Sequence, residues 1–185
     1  MIKEALEYVV EDLNDHFRRV LDPRPVKDLA VLSVIVDQQG EVAVKEENAI
    51  IFSVLSIQEE KKSGATNGRG ERRAPIDLNL YVLVSGYFPG QLTGDALQLI
   101  SIAIEFFYDK NVFLPSNSPG LSTGIHRMSW EIYNMDFTEQ SNLWSAIGAK
   151  HMPSVIYRVR LQLVPGTRQR ISAPRITERG AQLEA

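Results

Sequence analysis

The sequence of 185 residues contains no cysteine. Disulfides, thiolate catalysis and cysteine-bound zinc are therefore excluded. Histidine is scarce, with three residues: His16, His126 and His151. No two stand at helical i, i+4 spacing and no HExxH motif occurs, so no metal site is expected. His16 is expected on the solvated side of a helix. His126 and His151 each adjoin a cation, Arg127 and Lys150, which disfavours metal binding. No apolar run approaches the ~20 residues of a membrane helix, so no membrane insertion is expected. The opening MIKEALEYVVEDL carries acids within its apolar pattern, unlike a signal or transit peptide. Synthesis and retention in the cytoplasm are expected. Neither sign of charge dominates, with 20 Lys and Arg against 23 Asp and Glu. A net charge of −3 gives no general attraction to nucleic acid.

Candidate chemistry is equally thin. Gly64, Gly68 and Gly70 sit in a stretch without the Lys-Ser/Thr pair of a phosphate loop and with no helix behind it, so no nucleotide cofactor is expected. Ser116-Asn117-Ser118-Pro119 lacks a glycine elbow, and Asx and Ser turns account for it. Glu105, within an apolar helix, and Glu131, beside Trp130, are the carboxylates out of pattern. Each is expected to pair with a base such as Arg127, Arg158 or Arg160 rather than to catalyse.

What is present is an ordinary mix for one globular domain. Hydrophobic residues make up 44% and charged residues 23%, and a chain of this size buries roughly 70% of its unfolded surface. Ala5, Leu6, Val9, Val10, Leu13, Phe17 and Val20 recur at helical spacing, and Asp22-Pro23-Arg24-Pro25 stops that helix. Ala30–Val36 and Asn48–Ile57 read as buried strands, separated by a turn at Gln38-Gln39-Gly40. Residues 58–74 are polar and carry a surplus of cations, including Arg72 and Arg73, and read as a flexible hairpin loop, about 58–75. Ile76–Ser85 alternates as a half-buried strand. A second helix, about Ala96–Tyr108, is capped by Thr93 or Asp95 and is expected to be the most buried, with Leu97, Ile100, Ala103, Ile104 and Phe107 on one face. Ile125–Tyr133 is a strand with Met128, Trp130 and Ile132 on one side. Thr138 is expected to cap a short third helix that ends at Gly148. In the last strand Val155, Tyr157, Val159, Leu161 and Leu163 share a face, with Arg158, Arg160 and Gln162 opposite.

The order α-β-β-β-α-β-α-β predicts an α+β fold, a mixed and mostly antiparallel sheet with helices packed on one face. The domain is expected over residues 1–166. Residues 167–185, with Arg168, Arg170, Arg175 and Arg179, form a basic tail that is either disordered or in contact with a partner. Trp144 is a core or interface anchor. Arg158 and Arg160 are a solvent face or a partner-binding surface. Candidate interface residues are therefore Arg158, Arg160, Trp144, Lys150, Arg168, Arg170, Arg175, Arg72 and Arg73.

Four blocks carry a resemblance. They are ALEYVVEDLNDHF (Ala5–Phe17), NLYVLVSGYF (Asn79–Phe88), IEFFYDKNVFLPSNSP (Ile104–Pro119) and NLWSAIGAKHMPSVIYRVRLQLV (Asn142–Val164). In this order they resemble the tail-terminator, or cap, family of extracellular contractile injection systems of the virulence-cassette and antifeeding-prophage type. The resemblance implies a phage tail-terminator-like α+β fold in its short form, without the second domain of some members. It implies a non-enzymatic hexameric ring at the end of a contractile particle, bound to inner tube and sheath proteins, that stops polymerisation and anchors the last sheath layer. Two other readings stand beside it. One is a non-enzymatic adaptor or scaffold domain in another assembly. The other is an enzyme using the loop Asn111–Thr123, which lacks a nucleophile and base together.

Overall fold

The computed structural model describes residues 1–45, 47–60, 75–90 and 93–164. Helix α1 spans Ile2–Val20 and β1 spans Ala30–Leu32. Strands β2 (Ala49–Glu59) and β3 (Ile76–Tyr87) are antiparallel neighbours. Of the loop expected between them, residues 61–74 lie outside the described ones. Helix α2 (Thr93–Asp109), β4 (Val112–Phe113), β5 (Ile125–Ile132), α3 (Phe137–Ile147) and β6 (Ser154–Leu163) follow. The six strands form one sheet in the order β1-β2-β3-β6-β5-β4. Only the β1–β2 pair is parallel. The α+β expectation with a mixed, mostly antiparallel sheet holds, but the helices do not share one face. α1 and α2 pack on one side of the sheet and α3 on the other, because Trp144 covers the opposite-facing Ile51, Leu83 and Ile156. The two-residue β4 is an addition.

Strand alternation divides the sheet residues between two faces. One face turns Ile50, Phe52, Leu80, Val82, Val84, Tyr157, Val159, Leu161 and Leu163 toward α1 and α2. Phe52, Phe107, Trp130 and Tyr157 meet at the centre of this core, where Phe107 and Trp130 stack at 4.4 Å. Such aromatic pairs add roughly 0.5–1.5 kcal/mol beyond the area they bury. β3 approaches α2 closely at Gly86, where a Cβ would stand 2.9 Å from that of Ala96. The other face carries a smaller core of Ala49, Ile51, Leu83 and Ile156, covered by Trp144 of α3 and by Ile35 and Val44.

Several local expectations change. The first strand ends at Leu32, not Val36. Asp37 accepts hydrogen bonds from the N–H groups of Gln39 and Glu41, which folds the chain back so that Val36 only bridges Val42. Burial favours α1 rather than α2, with seven buried residues against six. Leu97 and Ile132 are 52% and 50% exposed, because the core covers only one side of α2 and stops short of the end of β5. His16 is half-buried, its ring 5.4 Å from that of Phe106. Asp136, not Thr138, caps α3 in a reciprocal capping box with Glu139. Gly148 ends α3 with φ of 76°, as expected of a left-handed C-terminal glycine.

Candidate assembly interface

The outer face of β3, β6 and β5 carries a polar lattice that strand register assembles. Neighbours in register stand side by side, about 5 Å apart. Arg158 of β6 lies between Tyr81 and Glu131. Arg160 lies between Asn79 and Ser129, and Gln162 between Asp77 and Arg127. None of these nine residues is buried. One row further, Leu83 opposes Ile156, and there Trp144 and the second core cover the sheet. The face is thus apolar and covered at one end, polar and open at the other.

Glu131 organises the open end. Its Oε2 accepts from Arg158 at 2.6 Å and stands 3.8 Å from Arg160. The hydrogen bond from Arg158 holds the Glu131 carboxyl below the usual carboxylate range, and the same bond raises the Arg158 guanidinium. Both partners are about a third or more exposed, so water screens the pair and its contribution stays below about 1 kcal/mol. Gln162 donates to Asp77 at 2.9 Å. A groove of about 310 Å³ runs along the lattice past Glu60, Asp77, Arg127, Glu131 and Arg160.

The expected pairing of Glu131 with Arg158 and Arg160 is present. Glu105 instead is exposed, without an ion pair among the described residues. Trp144 is 4% exposed and packs in the second core, 5.5 Å from the ring of His151. Lys150 is exposed beyond the end of α3, apart from the lattice residues in register. Arg72, Arg73, Arg168, Arg170 and Arg175 lie outside the described residues. Sequence reasoning missed Asn79, Tyr81 and Ser129 as companions of the arginines. Their signal is the polar phase of each strand, which acquires meaning only when the strand order is known.

The lattice offers charged hydrogen bonds across an open, grooved surface. Among the described residues no cluster of three His, Asp or Glu could hold a metal ion. No helix among them is long and apolar enough to cross a membrane. Asn117 and Ser118, in the loop after β4, are held in local turns: Asn117 bonds to the backbone of Leu114 and Val112, and the Ser118 hydroxyl donates to Asn117.

The family model described as the Pvc16 N-terminal domain matches residues 6–178. No curated protein matches the sequence. Two solved structures share the fold. One is the sheath/tube terminator, in the extended state, of PVC, an extracellular contractile injection system, with a TM-score of 0.56 and 14% identity. The match covers 97% of this chain and 65% of that one. The other is the tube-terminating cap of the anti-feeding prophage, with a TM-score of 0.54 and 12% identity over 92% of this chain and 58% of that one. The chain therefore spans about two-thirds of the length of these structures or less.

Proposed function

This chain belongs to the Pvc16 N-terminal domain family, and from that premise we propose that it is a structural cap of a contractile, phage-tail-like injection particle. Copies form a ring, six-fold in this reading, that terminates the inner tube and anchors the last layer of sheath. The ring assembles in the cytoplasm at the end of the particle, and the chain catalyses no reaction. The carrying observation is the family match across residues 6–178. The fold it shares with a sheath/tube terminator and a tube cap supports the same reading.

A terminator must close on itself and must not grow. A heterologous contact repeated by rotation meets that demand when the rotation completes a circle. The open lattice around Arg158 and Arg160 provides one such surface, rich in the arginine that interfaces favour. Short edge strands suit a closed assembly as well. β1 has three residues and β4 two, so neither edge presents a long template for uncontrolled strand addition.

Electron microscopy of particles made with and without this chain tests the reading. Six-fold density at one end in its presence, with ragged, overlong or sheathless tails in its absence, is the expected result. Unchanged particles would instead favour an adaptor role in another assembly.

A further inference from the structure

Resting on that ring reading, we propose that residues 165–185 of one copy dock on the outer face of the α1–α2 layer of the next copy. Charge divides this chain unevenly. The described residues hold 11 Lys and Arg against 19 Asp and Glu. Residues 165–185 hold Arg168, Arg170, Arg175 and Arg179 against Glu178 and Glu184. The acidic surplus of the body is greatest on its helices. Glu4, Glu7, Glu11 and Asp15 are exposed on α1, and Asp95, Glu105 and Asp109 on α2, which has no Lys or Arg.

The acids of the two helices adjoin. Asp12 of α1 and Glu105 and Asp109 of α2 all act on His16. Lys110 neutralises Asp12 at 2.7 Å. Among the described residues Glu11, Glu105 and Asp109 have no ion pair. Glu4, Glu7 and Asp15 are paired with the N-terminus, Lys3 and Arg18, and Arg19 adds one exposed cation beside His16. The three unpaired acids still leave an acidic surplus, which draws in a partner of the other sign, and arginine forms the strongest such bonds with carboxylates.

The origin of the basic segment is set by the fold. The Val164 N–H donates to the Gly124 carbonyl at 2.9 Å, and Gly124 lies against Met1 at the start of α1. The acids around His16 stand about 20 Å further along that helix, at 1.5 Å per residue. Origin and target therefore occupy different ends of the helix layer. A contact between two different ends repeats from copy to copy, as a ring requires. A stretch of 21 residues reaches up to about 70 Å when extended, enough to cross a neighbour. The family match continues past β6 to residue 178 and so includes Arg168, Arg170 and Arg175.

Two full-length variants test the contact. One carries Arg168→Glu, Arg170→Glu and Arg175→Glu, and the other carries Glu11→Lys, Glu105→Lys and Asp109→Lys. Each is checked for native folding by circular dichroism, then sedimented at low salt. The wild type is expected to self-associate. Each variant alone is expected to associate roughly tenfold more weakly or less, from like-charge contact. Mixed in equal amounts, they are expected to recover assembly, since each then offers the charge the other lacks. A wild type that stays monomeric overturns the proposal. So do variants that assemble alone, as docking within one chain predicts, or a mixture that stays apart. Loss of sheath or tube attachment by the arginine variant, without change in its self-association, assigns the segment to those partners and overturns it too. The end density seen by microscopy judges the cap reading separately, because it does not depend on which surfaces join the copies.

Discussion

At the scale of single residues, Asn14 contributes more than its position on an amphipathic helix suggests. It is 4% exposed. Its amide donates to the Ala30 carbonyl at 2.8 Å and accepts from the Leu29 and Ala30 N–H groups at 2.9 and 2.8 Å. These bonds fix α1 against the start of β1. Asn14→Leu would leave buried backbone groups unpaired, and each such group costs about 1–3 kcal/mol. A loss of about 3 kcal/mol in urea unfolding is expected, with the slope of the transition unchanged. His16, one turn from the centre of α1, responds to pH. Burial first, and Arg19 second, lower its pKa from the ordinary 6.5. The folded state then binds fewer protons than the unfolded chain below about 6.5, so stability is full above that pH and falls as pH drops toward the lowered folded value. His16→Gln is expected to flatten this dependence in melting curves taken between about pH 7 and pH 5. Neither residue was legible beforehand. Both sit on polar positions of the helical pattern, and only the return of the chain at Ala30 and the docking of α2 bury them.

At the scale of elements, caps decide where α3 begins. Asp136 accepts from the Glu139 N–H at 2.7 Å, and the Glu139 carboxylate accepts from the Asp136 N–H at 3.1 Å. Thr138 falls at the second helical position, inside the box. Asp136→Ala is expected to cost about 1 kcal/mol, with Thr138→Ala close to neutral, measured by thermal unfolding of the two variants side by side. The elements with long periodic patterns were readable in advance because apolar spacing depends on local geometry alone. That holds for α1, for β3 and for β6, whose Tyr157, Val159, Leu161 and Leu163 all reach the core. β4 was not readable, since two residues carry no period. The candidate site was half readable. The alternation of Arg158, Arg160 and Gln162 places them outward, but their neighbours on β3 and β5 come from segments some 80 and 30 residues away in sequence, respectively.

At the scale of the whole molecule, the sheet separates the core from the open polar face proposed above as a contact surface. The inner face of β6 holds the core, while the outer face holds Arg158 and Arg160 around one carboxylate. Replacing both with glutamate puts three carboxylates together and reverses the local charge, yet leaves Tyr157, Val159 and Leu161 in place. A surface pair contributes below about 1 kcal/mol, and added like-charge repulsion is of similar size. At this length about 1 kcal/mol lowers the melting temperature by roughly 2–4 °C. The Arg158→Glu/Arg160→Glu variant is therefore expected to melt cooperatively within several degrees of the wild type and to fail to cap particles. Arg158→Lys/Arg160→Lys preserves the charge but loses the fork that binds a carboxylate through two bonds. It should cap weakly, with greater sensitivity to salt. Normal capping by the glutamate variant would make the lattice a plain solvent face and place the proposed contacts elsewhere. Loss of folding along with loss of capping would mean that Arg158 is structural after all, its buried Nε included. The lysine variant separates these cases, because a structural role tied to the Glu131 bond would destabilise it as well.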